Sequence, residues 1–89
     1  MNGLDINNDW KLENDCIKTQ YTFKNFKQAL LFMNEVGAEA ERLNHHPDWS
    51  NSYNRVEISL TTHDVGGLTK KDFELANVIS EIAGRLITK

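Results

Sequence analysis

The residues best equipped for chemistry in this chain are the run Glu41-Arg42-Leu43-Asn44-His45-His46-Pro47-Asp48-Trp49 and, one hairpin later, Thr61-Thr62-His63-Asp64. All three histidines of the sequence fall in these two stretches. Imidazole has an unperturbed pKa of about 6.5, so its acid and base forms are both accessible near neutral pH, and proton transfer is the chemistry it suits best. The same residues also admit a bland reading, a polar helix exit followed by a strand end, in which the imidazoles do no chemistry. A tetrahedral zinc shell of three histidines with Asp48 or Asp64 is a third reading. Against it, adjacent His45 and His46 lack the i, i+4 helical spacing that puts two imidazoles on one ion, and no Cys- or Glu-rich partner motif accompanies them. Nucleophilic catalysis has little to build on: Cys16 is distant from the histidines, and no serine sits in a Gly-x-Ser-x-Gly elbow. Trp10 and Trp49 offer flat surfaces to an aromatic ligand, although tryptophan in a small domain is more often core.

The elements that must position these residues are legible from periodicity. Trp10 and Leu12, then Ile17, Thr19, Tyr21 and Phe23, alternate with polar residues at the period of two that buries one strand face, and Asn14-Asp15 supplies the turn. From Asn25 the period changes. Phe26, Ala29, Leu30, Met33, Val36, Gly37, Ala40 and Leu43 recur at spacings of three and four, with Asn25 as N-cap and Gln28 three residues on. Pro47 stops this helix near Asn44 and leaves His45 and His46 in the exit loop. Residues 48–53 and 56–62 then read as an antiparallel hairpin turning around Asn54 and Arg55 and ending near His63, which returns that histidine to the sheet edge holding the other two. Gly66 and Gly67 relax the backbone, and Thr69 with Asp72 forms a second, weaker capping pattern. A last helix over 70–87 carries apolar residues around roughly 200° of its circumference, more than one sheet-facing stripe needs, so part of it should meet another subunit.

Two strands, a helix, two strands and a helix with short links predict an α+β fold: a two-layer, four-stranded antiparallel sheet with both helices on one face. Eighty-nine residues are expected to form a single domain, 1–89, with 1–8 a loose leader. The net charge of −3 and scattered basic residues argue against a phosphate-tracking surface, hence against direct nucleic-acid binding. A single cysteine excludes an intramolecular disulfide and fits a reducing compartment. No stretch approaches the roughly 20 apolar residues that cross a bilayer, so the expectation is a soluble, cytoplasmic protein without a membrane partner.

The stretch Ala40-Glu41-Arg42-Leu43-Asn44-His45-His46-Pro47-Asp48-Trp49, with Tyr53-Asn54-Arg55-Val56, Thr61-Thr62-His63-Asp64 and Gly67-Leu68-Thr69, closely resembles the pterin-4a-carbinolamine dehydratase family. The resemblance extends from about Trp10 to Ala83. It implies a lyase that dehydrates a 4a-hydroxytetrahydropterin to quinonoid dihydropterin, recycling the tetrahydropterin that an aromatic amino-acid hydroxylase has used. No metal or tightly bound cofactor is implied. Carried over by position, His45 and His63 resemble the family's proton donors and acceptors around the leaving hydroxyl, and His46 its substrate-orienting histidine. Pro47, Thr62, Asp64 and Val65 match positions bordering the pterin, while Glu41, Asn44 and Trp10 resemble wall residues. Asn44 and Val65 stand where an acid and a cysteine are common. A homodimer or homotetramer is expected. Because animal relatives also act as dimerisation cofactors for a homeodomain transcription factor, the rival reading is a protein-binding module using Leu75, Val78, Ile82 and Leu86 of the last helix.

Overall fold

The computed structural model describes residues 9–87, so the leader expected at 1–8 lies outside the described residues. The chain forms β1 (Lys11–Glu13), β2 (Cys16–Thr22), α1 (Phe26–Leu43), β3 (Asp48–Ser52), β4 (Arg55–Leu60), a 3₁₀ turn (His63–Val65) and α2 (Lys70–Ile87). The four strands make one antiparallel sheet in the order β1-β2-β4-β3, the α+β arrangement the element order predicts. Its core-facing side, from Ile17, Val56, Ile58 and Leu60, packs against Ala29, Phe32, Val36 and Ala40 of α1 and Leu75, Ala76, Ile79, Ile82 and Ala83 of α2.

Both hairpins close in two residues. The first turns at Asn14-Asp15, with Asn14 at φ 55°, a left-handed conformation that Asn tolerates. The second turns at Tyr53-Asn54 rather than at Asn54-Arg55, because Arg55 is held in the ladder opposite both Ser52 and Thr22. Asn54 is fixed there by two bonds to the end of β2: its Nδ2 donates to the Phe23 carbonyl at 2.8 Å, and the Phe23 N–H donates to the Asn54 carbonyl at 2.7 Å. Strand β4 stops at Leu60, so His63 opens the 3₁₀ turn instead of ending a strand.

Helix α1 begins where its cap predicts, with Asn25 Oδ1 accepting from the Gln28 N–H at 2.9 Å. Its buried face is rotated from the expected one. Phe32, absent from that set, is fully buried, while Phe26 and Leu30 each remain 45% exposed. Aromatic packing explains the rotation: the Phe32 ring centroid lies 4.8 Å from Phe23 and 5.7 Å, edge-on, from Tyr21. Helix α2 keeps its expected bounds, and most of its wide apolar arc is covered within the chain, while Ile87 stays 46% exposed. The helix packs on the sheet and alongside α1, so Leu75 and Ile82, expected at an association surface, are core residues.

Candidate functional site

The site begins at the end of α1. Asn44 sits at φ 54°, ψ 43°, with its N–H bonded to the Glu41 carbonyl, and the His45 N–H reaches back to the Ala40 carbonyl at 3.0 Å. These are the two bonds of a Schellman motif, and Asn is among the few non-glycine residues that accept its left-handed position. The chain therefore leaves the helix abruptly, and His45 turns toward the first turn of α2.

There its Nε2 meets Asp72 Oδ1 at 2.5 Å. Asp72 is fully buried, and the His45 side chain is only 10% exposed. A buried carboxylate must have its lone pairs occupied. The other oxygen, Oδ2, accepts from the Thr62 hydroxyl at 2.7 Å and the Thr69 N–H at 2.8 Å, and the Thr62 and Thr69 hydroxyls lie 2.8 Å apart. The Thr69–Asp72 bond is one half of the capping box legible in the sequence. With both Asp72 oxygens accepting, the hydrogen of this bond is assigned to Nε2 of His45.

Thr62 in turn closes a small loop. Its N–H donates to the Gly67 carbonyl at 2.9 Å, its carbonyl accepts from Gly67 and Val65, and Gly66 supplies the left-handed residue at φ 68°. His63, Asp64 and Val65 stand on this loop, with Val65 exposed. One carboxylate thus anchors both the imidazole of His45 and the residue immediately before His63.

His46 follows a different course. Its Nε2 lies 2.6 Å from Glu41 Oε2, and both side chains are largely exposed. Among the described residues, no three His, Cys, Asp or Glu side chains form a cluster able to hold a metal ion. A broad concavity of about 750 Å³ lies on the outer, polar face of the sheet, lined among others by Lys11, Lys18, Asp48 and Glu57; neither His45 nor His46 lines it. That trough follows from a twisted sheet whose outer face no helix among the described residues covers, and it is separate from the His45–Asp72 pair.

The profile of the family described as pterin 4 alpha carbinolamine dehydratase matches residues 2–82. The chain belongs to this family. It is 44% identical over 79 residues to a Prochlorococcus marinus (strain NATL2A) protein, covering 89% of this chain and 83% of that one. It is 50% identical over 78 residues to one from Rhodospirillum rubrum, covering 85% and 81%. Both carry the name "Putative pterin-4-alpha-carbinolamine dehydratase". The crystal structure of a transcriptional coactivator/pterin dehydratase from Brucella melitensis superposes with a TM-score of 0.84 at 38% identity, covering 86% of this chain and 84% of that one. A pterin dehydratase-like RuBisCO assembly factor of the alpha-carboxysome shares the fold at a TM-score of 0.70 and 18% identity, over 84% and 87% of the two chains.

Of the family positions carried over from the sequence, Glu41, Asn44, His45, His46 and Pro47 lie together at the α1 exit, and Thr62, His63, Asp64 and Val65 on the loop tied to it through Asp72. Trp10 lies elsewhere: it is buried, with its indole N–H donating to Ser80 Oγ at 2.8 Å, more than two turns along α2 from Asp72. Ser80 also contacts the Tyr21 hydroxyl, whose phenol burial pushes well above its usual range. The residue that sequence reasoning missed is Asp72, read only as a helix-start signal. The clue was its position, in line with Leu75, Ala76, Ile79 and Ala83 on the apolar arc, where an acid has to find partners inside the fold.

Proposed function

We propose that this chain dehydrates a 4a-hydroxytetrahydropterin to quinonoid dihydropterin and water, with His45 and His63 exchanging the protons and His46 orienting the substrate. Pro47, Thr62, Asp64 and Val65 border the pterin in this reading, with Glu41 and Asn44 as wall residues. Trp10, buried on Ser80, is the wall assignment with least support. In the reaction the C4a hydroxyl takes up a proton, the C4a–O bond breaks, and water leaves. The N5–H gives up its proton and its electron pair forms the C4a=N5 bond, so the balance is one substrate to one product plus water, with no oxidant and no metal required.

The observation that carries the reading is the buried Asp72 carboxylate shared by His45 and Thr62. It holds the ring of His45 and the residue just before His63, which supports a reading in which one group delivers a proton and another removes one. Family membership supplies the substrate class. The association reading on α2 has less support, because Leu75 and Ile82 are core residues.

The test is a stopped-flow dehydration assay on enzymatically generated carbinolamine. General acid–base assistance typically contributes about 10² to 10⁴-fold, so His45→Ala and His63→Ala should each lose most of that factor, and the double variant little more. Unaltered rates in both single variants, with folding retained, would remove the proposed roles.

A further inference from the structure

The capping box at the start of α2 is only half made. Thr69 stands immediately before the first helical residue, Lys70, and its N–H donates to Asp72 Oδ2 at 2.8 Å. In the reciprocal half the threonine hydroxyl would accept from the Asp72 N–H. That N–H goes instead to the Thr69 carbonyl at 3.0 Å. The Thr69 hydroxyl turns away to Thr62 Oγ1 at 2.8 Å, its one side-chain hydrogen bond among the described residues. A helix start thus forgoes a stabilising cap, and the hydroxyl is committed to the residue before His63.

The direction of that contact follows from Asp72. Thr62 has a single hydroxyl hydrogen and gives it to Asp72 Oδ2 at 2.7 Å, so toward Thr69 it can only accept, and the shared hydrogen is assigned to Thr69. One chain of donors therefore runs from the Thr69 hydroxyl to the Thr62 hydroxyl to Asp72, whose Oδ1 accepts from His45 Nε2. Asp72 is buried and the other three are half-buried, surroundings in which each bond polarises the next.

We infer that Thr69 is a positioning residue for the dehydration, acting through Thr62 and Asp72 on the ring of His45. This rests on the role proposed above for His45. Without the Thr69 hydroxyl, Thr62 keeps Asp72 as its acceptor, but its oxygen loses its donor and its side chain is held by one bond where it had two. The Thr62 backbone is also bonded to Val65 and Gly67, so the same hydroxyl steadies the base of the loop that carries His63.

The test compares Thr69→Val, Thr69→Ser and the Thr62→Val/Thr69→Val pair, with Thr69→Ala as a second truncation should the valine chain not fold. The loss of one ordinary hydrogen bond corresponds to about three- to tenfold, so Thr69→Val should lower kcat by that factor with KM moving less than about twofold. Thr69→Ser, which restores the hydroxyl, should restore kcat. In a Thr62→Val background the same change should do nothing more, because the route to His45 is already cut. A second readout needs no substrate: in chains carrying ¹⁵N-labelled histidine, exchange of the His45 Nε2 hydrogen with water should quicken about three- to tenfold in Thr69→Val and return to the wild-type rate in Thr69→Ser. Wild-type kcat and wild-type exchange in Thr69→Val would overturn the inference, as would losses that multiply in the double variant. A wild-type chain that dehydrates no carbinolamine would sink the proposed function instead, while the exchange rates would still decide whether Thr69 holds His45.

Discussion

Adjacent histidines in this chain form two carboxylate pairs of nearly equal length, 2.5 Å for His45–Asp72 and 2.6 Å for His46–Glu41, in opposite surroundings. The first carboxylate is fully buried and spends its remaining oxygen on Thr62 and Thr69. The second is 78% exposed and pairs with His46. Length alone therefore says little about function. Water competes for the exposed pair and salt screens it, so it costs little to break. The buried pair has no such competitor. Removing one member strands the others, so it fixes geometry where the outer pair only biases it.

The largest test of that contrast is Asp72→Ala. It deprives His45, Thr62 and the Thr69 N–H of their shared acceptor, and the expected loss is about 3 to 5 kcal/mol, read as a lower urea midpoint at unchanged slope. A loss below about 1 kcal/mol would show that the carboxylate is not the keystone described. Thr62→Val comes next: it keeps the shape but removes the hydroxyl from Asp72 and Thr69, at a cost of about 1 to 3 kcal/mol. Because it also loosens the loop before His63, its dehydration rate should fall by about tenfold or more, with KM moving less. A Thr62→Val enzyme that turns over normally would separate the loop from the chemistry.

Gly66→Ala probes the same loop through the backbone alone. An added Cβ meets nothing within 4 Å, so the cost is that of a left-handed alanine, about 1 kcal/mol, with a smaller loss of rate than Thr62→Val. The smallest effect belongs to Glu41→Gln, expected to change stability by less than about 1 kcal/mol, with the difference vanishing as salt rises. A larger, salt-resistant effect would mean that the outer pair is structural after all.

Much of this molecule was legible before folding, and the failures have specific causes. The cap at Asn25, the two-residue turn at Asn14-Asp15 and the bounds of α2 follow from residue types and short spacings. The buried face of α1 did not follow, because its sequence carries two adjacent apolar stripes and only contact with Phe23 and Tyr21 selects the one containing Phe32. The excess apolar arc of α2 suggested a partner subunit, yet a helix that touches a sheet and a second helix at once buries more than one stripe. The His-His-Pro segment marked the region of interest, while Asp72 passed as a capping residue because its second role points across the fold.

By itself the sequence determined the order of strands and helices, the bounds of the two helices, and that its histidines fall in two short segments. Those properties depend on contacts within a few residues, which propensity, capping and turn chemistry record directly. Only the tertiary structure decided that residues 45 and 62 share one carboxylate at 72, since that requires the hairpin between them to close and α2 to dock with its first turn against the exit of α1. Burial then completes what proximity begins: with water excluded, the carboxylate must be satisfied by these partners or by none.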